Sequence, residues 1–153
     1  MIAFLSDFGP GSHYVGQVKA VLSGVTVIDL CHDIPPGDVR AGAYVLHTSW
    51  DAFPDGTIFL AVVDPGVGTN RVALAATWEK RFFVAPDNGL LSPFMDEDFR
   101  AVALDTPESA SATFHARDIF APAALALERG AALEDLGRAH ATTTHCALNI
   151  FMF

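Results

Sequence analysis

Apolar and polar positions alternate between two kinds of run along this chain. Short, nearly continuous apolar runs of strand length cover Ile2–Ser6, Val25–Leu30, Thr57–Val63 and Ala101–Leu104. Between the first two, Tyr14, Val18, Val21 and Leu22 recur at helical spacing, and Gly24 supplies a stop. Asp38 is placed to cap a helix running to about Trp50. Val72–Thr77 and Arg81–Ala85 read as a strand pair around Trp78-Glu79-Lys80, and Asp118–Arg129 as an Ala-rich helix with Pro122 in its first turn. Strands separated by helices predict an α/β fold, a mostly parallel central sheet flanked by helices and containing one hairpin.

Polar and glycine-rich strings punctuate those runs where strands end. They are Ser6–Ser12, Cys31–Asp38, Val63–Arg71 and Pro86–Gly89, with Thr113–Asp118 preceding the last helix. In a parallel sheet such loops gather on one edge, and ligands bind in the crevice beyond the strand ends. Asp64 and Arg71 flank a loop with glycines at 66 and 68, whose backbone can approach a ligand closely. The pair is open to two readings, a brace for the loop or a group that holds and polarises a water. His115 has the same two sides: a cap or core histidine, or a water-positioning base if Asp64 or Arg71 lies within reach. Asp7, just after the first strand, is either a turn former or a carboxylate for a ribose diol.

Composition narrows the classes. With 153 residues, 51% of them apolar, the chain is one domain with a sizeable core. A formal net charge of −9 argues against a nucleic-acid surface and against anionic lipid. No apolar run approaches the ~18 residues of a membrane span, and the start lacks a signal-type basic flank, so a cytoplasmic location is expected. Cys31 and Cys146 fit no disulfide framework or zinc pair and read as reduced thiols. Asp7, Asp64, His32 and His115 offer metal-ligand chemistry without metal-ligand spacing, so no metal is expected. Gly66-x-Gly68 lacks the rest of a dinucleotide fingerprint. Trp50, Phe82, Phe83, Phe94 and Phe120 are assigned to the core.

Seven strings in order, over roughly residues 2 to 138, resemble the S-adenosyl-L-methionine (SAM) hydrolases. These are also called SAM hydroxide adenosyltransferases and are related to the fluorinase and chlorinase. The strings are Phe4–Gly9, Tyr14–Gly16, Asp33–Val39, Phe53–Thr57, Val63–Gly68, Ala85–Leu91 and Thr113–Pro122. The resemblance implies hydrolysis of SAM to adenosine and methionine by a water attacking the 5′ carbon, without metal or cofactor. It places Asp64, Arg71 and His115 around that water, and Asp7, with Asp64, on the substrate. The halogenating members carry tyrosine where Asp64 stands and a hydroxyl residue where Val67 stands. A carboxylate repels halide, so the resemblance favours hydroxide.

Ser12 and His13 stand where members carry an acidic residue, and Ala116 replaces a glycine or serine. The family continues into a β-rich domain of about 100 residues, a typical domain size, and is implied to form homotrimers. Residues 1–140 therefore match its N-terminal domain, 141–153 form an atypical tail, and the second domain is expected to be absent. The tail, polar over Ala141–His145 and apolar from Ala147 to Phe153, reads as a core strand or the end of a truncated product. Two alternatives stay open beside the hydrolase: a non-catalytic domain lacking the adenine-binding half, and metal-assisted hydrolysis of another nucleoside.

Overall fold

The computed structural model describes residues 1–142, 144 and 145. Its seven-stranded sheet has the order β2-β1-β3-β5-β4-β6-β7, from β1 (Ile2–Ser6), β2 (Val27–Cys31), β3 (Ile58–Val62), β4 (Ala73–Trp78), β5 (Arg81–Pro86), β6 (Arg100–Leu104) and β7 (Gly137–Ala139). The pairings β2–β1, β1–β3 and β3–β5 are parallel. Those beyond, β5–β4, β4–β6 and β6–β7, are antiparallel. The parallel centre matches the α/β expectation, and the antiparallel extension is larger than one hairpin. β7, with its Gly-Arg-Ala sequence, has no apolar pattern by which to announce itself.

Helix α1 (His13–Val21) links β1 to β2, and α2 (Val39–Ser49) links β2 to β3. Strands β1 and β3 are buried at every position. Both faces of a central parallel sheet are covered, so period-2 alternation is hidden in continuous apolar runs. The alternation survives as a division between two cores. Ile2, Phe4, Ile58 and Leu60 pack with Val18 of α1 and with Phe120, Ala124 and Leu127. Ala3, Leu5, Phe59 and Ala61 pack with Ala43 and Leu46 of α2. Residues alternating along a strand point to opposite faces, and each face has its own helical layer.

The cap expected at Asp38 is present, and a second one, not expected, lies at Ser12. The Asp38 side chain accepts from Ala41 N–H at 2.9 Å at the start of α2, and Ser12 accepts from Tyr14 N–H at 3.2 Å at the start of α1. The helix expected over Asp118–Arg129 differs. Ala116–Phe120 forms a π-helical turn, and the α-helix α3 covers only Ala121–Glu128. Pro122 has no N–H to give the carbonyl four residues back, at Asp118, and its ring crowds that carbonyl. The wider turn relieves this, and Ala121 N–H reaches Ala116 O instead. Of the five aromatics assigned to the core, Phe83, Phe94 and Phe120 are fully buried, whereas Trp50 and Phe82 are partly buried against it. The apolar segment 147–153 and Cys146 lie outside the described residues. Cys31 is a free thiol.

Candidate active site

Chain order and sheet order diverge at β1, which has β2 on one side and β3 on the other. Because α1 and α2 cover opposite faces, the loops after β1 and β3 separate there and leave a crevice. Asp7 follows β1 and Asp64 follows β3, so the topology itself brings the two carboxylates to one crevice.

Backbone contacts stitch the loops together. Asp7 N–H reaches Val62 O at 3.4 Å, and Gly9 N–H reaches His32 O at 2.9 Å. The Asp7 carboxylate accepts from Gly37 N–H at 2.7 Å through Oδ2. Gly37 sits at φ +74, a left-handed conformation that suits glycine. Asn88 donates to Val63 O at 2.8 Å, fixing the peptide before Asp64. Gly68, at φ +76, brings its backbone so near the 111–115 loop that a Cβ would lie 2.3 Å from Ala112 O. The loops expected on one edge are all present there.

Across this edge the structure brings three of the four predicted site residues into direct contact. Arg71 Nε donates to Asp64 Oδ1 at 2.9 Å and Oδ2 at 3.0 Å, and Nη2 closes the pair on Oδ2. The two side chains are 10% and 5% exposed, so the pair is buried. Nη2 also meets His115 Nδ1 at 2.8 Å. Beneath, the guanidinium lies 5.2 Å from the centre of the Phe120 ring, within cation–π range. A guanidinium only donates, so Nδ1 accepts and the neutral ring carries its hydrogen on Nε2. Burial pushes the His115 pKa below its ordinary value, and the Arg71 charge pushes it further, against the smaller opposing pulls of Asp64 and Asp118. His115 is therefore neutral at pH 7.

Asp7 meets two of the three at a shared cleft. Asp7, Asp64 and His115 line one cleft, together with Phe8, Val67 and Phe114. A larger groove adjoins it through Phe8, Thr113 and Phe114 and extends to Tyr14, Gln17 and Arg117. Arg117 is engaged there by Asp118, at 2.6 Å from Nε to Oδ1, and by Gln17, at 3.2 Å. Ser12 is occupied in capping α1, and the His13 ring lies against Tyr14 with centroids 4.2 Å apart. Of the four metal-ligand candidates, His32 stands apart from the other three, held by Ser6 and Asp29. Among the described residues no group of three or more His, Cys, Asp or Glu is placed to hold a metal ion.

Sequence reasoning gave no role to Gly37, Asn88 or Phe120 in this edge. The Pro-Pro-Gly-Asp and Pro-Asp-Asn-Gly strings mark turns, but not which carboxylate or carbonyl the turn will meet. Phe120 was placed in the core, and it is there; its outer face is what Arg71 covers.

Fold and site together define an α/β domain with a buried Asp–Arg–His cluster at the switch point of a partly parallel sheet. The SAM hydroxide adenosyltransferase N-terminal domain family matches residues 2–137, and the chain belongs to that family. It is 45% identical to the (R)-S-adenosyl-L-methionine hydrolase of Thermus thermophilus over 89% of this chain and 60% of that protein. It is 31% identical to the fluorinase of Nocardia brasiliensis over 90% of this chain and 57% of that protein. The crystal structure of a conserved protein from Thermotoga maritima superposes with a TM-score of 0.91 at 38% identity, covering 96% of this chain and 61% of that one. The chain thus spans about 60% of the length of the relatives it matches. Among the described residues no helix is long and apolar enough to cross a membrane.

Proposed function

We propose that this domain hydrolyses SAM to adenosine and methionine, with Asp64, Arg71 and His115 holding the attacking water and Asp7 the ribose diol. The observation that carries the reading is the buried contact of Arg71 with both Asp64 and His115, two residues that line one cleft with Asp7. Family membership and relatives named as a SAM hydrolase and a fluorinase support a SAM-processing reaction. Asp64 supports hydroxide over halide, because a buried carboxylate repels an anion and attracts the hydrogens of a water.

The hydrogen-bond inventory assigns roles within the three. Arg71 can only donate and so stabilises negative charge developing on the water oxygen. His115 has its Nδ1 engaged by Arg71, which leaves Nε2–H as a donor that orients the water. Asp64 keeps lone pairs beyond those Arg71 occupies, and it accepts a water hydrogen. In the reaction the water oxygen forms a bond to C5′ while the C5′–S bond breaks. The electron pair stays on sulfur, giving the neutral thioether of methionine, and the water's proton passes to Asp64 and on to solvent. Water has a pKa of about 15.7, so orientation and charge stabilisation are the help the step needs. The neutral leaving group needs no acid, and the step needs no metal or cofactor.

Asp7 keeps Oδ1 beside the Gly37-bound Oδ2, enough to accept from a ribose hydroxyl. The reading also makes the protein that carries this domain a homotrimer, which sedimentation tests. The experiment for the activity is incubation of the folded chain with SAM and chromatography for adenosine. A second reading is a non-catalytic domain that keeps the fold. It predicts a folded chain that makes no adenosine.

A further inference from the structure

Away from the reacting cluster, a second polar chain crosses the carboxyl ends of β1 and β2. Ser6 Oγ lies 2.7 Å from His32 Nδ1, and His32 Nε2 lies 3.2 Å from Asp29 Oδ1. Asp29 is in turn held by Lys19 Nζ at 3.0 Å. Burial alone would raise the Asp29 pKa, but the Lys19 and His32 hydrogen bonds outweigh it and hold the carboxyl below its ordinary value. An ionised carboxylate only accepts, so His32 carries its hydrogen on Nε2, and in the neutral ring Nδ1 accepts from the Ser6 hydroxyl.

The order serine–histidine–aspartate invites comparison with a nucleophilic triad, but Ser6 is fully buried and out of a substrate's reach. Its other contact is with the loop itself, since Phe8 N–H points to Ser6 Oγ at 3.4 Å. The His32 carbonyl accepts from Gly9 N–H at 2.9 Å. His32 thus grips the 6–9 loop twice, by side chain at Ser6 and by backbone at Gly9, on either side of Asp7 and Phe8. Its ring is braced edge-on against Phe4, with centroids 4.7 Å apart. The pairing of β1 with β2 slips by one residue just before this point, Phe4 facing Asp29 and Leu5 facing Cys31. Such bulges re-aim the side chains that follow them, and this one precedes His32 immediately.

We propose that His32 is a positioning residue for substrate binding, holding the loop that carries Asp7 and Phe8 against the cleft they line. The inference rests on the SAM hydrolase reading for the substrate's identity. It is independent of that reading in its claim about the loop. Asp7 would contact the ribose in ground and transition states alike, so loosening it raises KM more than it lowers kcat.

The test compares His32→Leu with His32→Asn, whose side-chain oxygen can still accept from Ser6. Expected for His32→Leu are a KM for SAM raised about tenfold, kcat within about threefold, and faster amide exchange at Phe8 and Gly9. His32→Asn recovers most of the KM and slows that exchange again. Adding Asp7→Asn to His32→Leu should cost no more than Asp7→Asn alone, since His32 acts through that loop. Faster exchange with unchanged KM would make the clamp merely structural and overturn the proposal, as would exchange that does not move. A wild-type chain that makes no adenosine overturns the hydrolase reading and the binding role with it, while the exchange rates still decide the clamp.

Discussion

Replacing the charges of the Asp64–Arg71 pair singly and together separates its structural and chemical contributions. The side chains are 5% and 10% exposed, so each charge depends on the other for solvation. Removing one partner of a buried ion pair costs about 3–5 kcal/mol, because the remaining charge is left uncompensated. Arg71→Met strips Asp64 of all its guanidinium bonds and falls at the upper end. Asp64→Leu leaves a guanidinium that still donates to His115 and still covers Phe120, so it falls nearer 3 kcal/mol. The double variant leaves neither charge unpaired and should return to within about 1–2 kcal/mol of wild type. Urea unfolding reads this directly. With m of about 1–3 kcal/mol/M, a loss of 3 kcal/mol moves the midpoint by roughly 1–3 M at constant m. Adenosine formation should be lost in all three variants, including the stable double one. A double variant as unstable as the sum of the singles would refute the ion-pair energetics. A stable double variant that still makes adenosine would show that the pair only braces the loop.

Three further outcomes follow from the same geometry. The His115 pKa is lowered in the folded protein, so the unfolded chain takes up the proton first as pH falls through about 6.5. Stability is then complete above that pH and declines below it, and His115→Gln should flatten the decline seen in urea midpoints between pH 7 and 5.5. Gly68→Ala forces a side chain into a left-handed backbone facing Ala112 O at 2.3 Å. It should cost about 1–3 kcal/mol and part the 63–71 loop from the 111–115 loop, with adenosine formation, followed by chromatography, falling at least tenfold. A chelator in excess should leave the rate of adenosine formation unchanged; its loss would favour the metal-assisted alternative.

Much of the fold was legible because the central strands need both faces covered and so spell themselves as Ile-Ala-Phe-Leu and Ile-Phe-Leu-Ala-Val. Asp38 announced α2, since a carboxylate before a helix accepts from a first-turn N–H that has no partner within the helix. The Trp78–Arg81 hairpin was legible from its strands, although its turn places Glu79 and Lys80 at positive φ, where glycine or asparagine is the usual sign. The short edge strand β7 was not legible, because its pairing with β6 is made by backbone. Nor was the π turn at Ala116–Phe120, which depends on Pro122 acting four residues upstream. At the site, Asp64, Arg71 and His115 were visible as residues with chemistry, but their contact depends on Gly68 letting two distant loops touch. The grip of Gly37 on Asp7 was hidden for the same reason: a backbone N–H leaves no signature in the side-chain sequence.

The source of the 5′ oxygen in adenosine decides whether water is the nucleophile. When SAM is incubated with the folded protein in ¹⁸O-water, attack by a water held at C5′ gives adenosine carrying ¹⁸O in its 5′-hydroxyl, together with unlabelled methionine. Methylthioadenosine or S-adenosylhomocysteine in place of adenosine would put the attack on another carbon of the sulfonium, and a folded chain yielding no labelled adenosine would contradict a water held at C5′ by Asp64, Arg71 and His115.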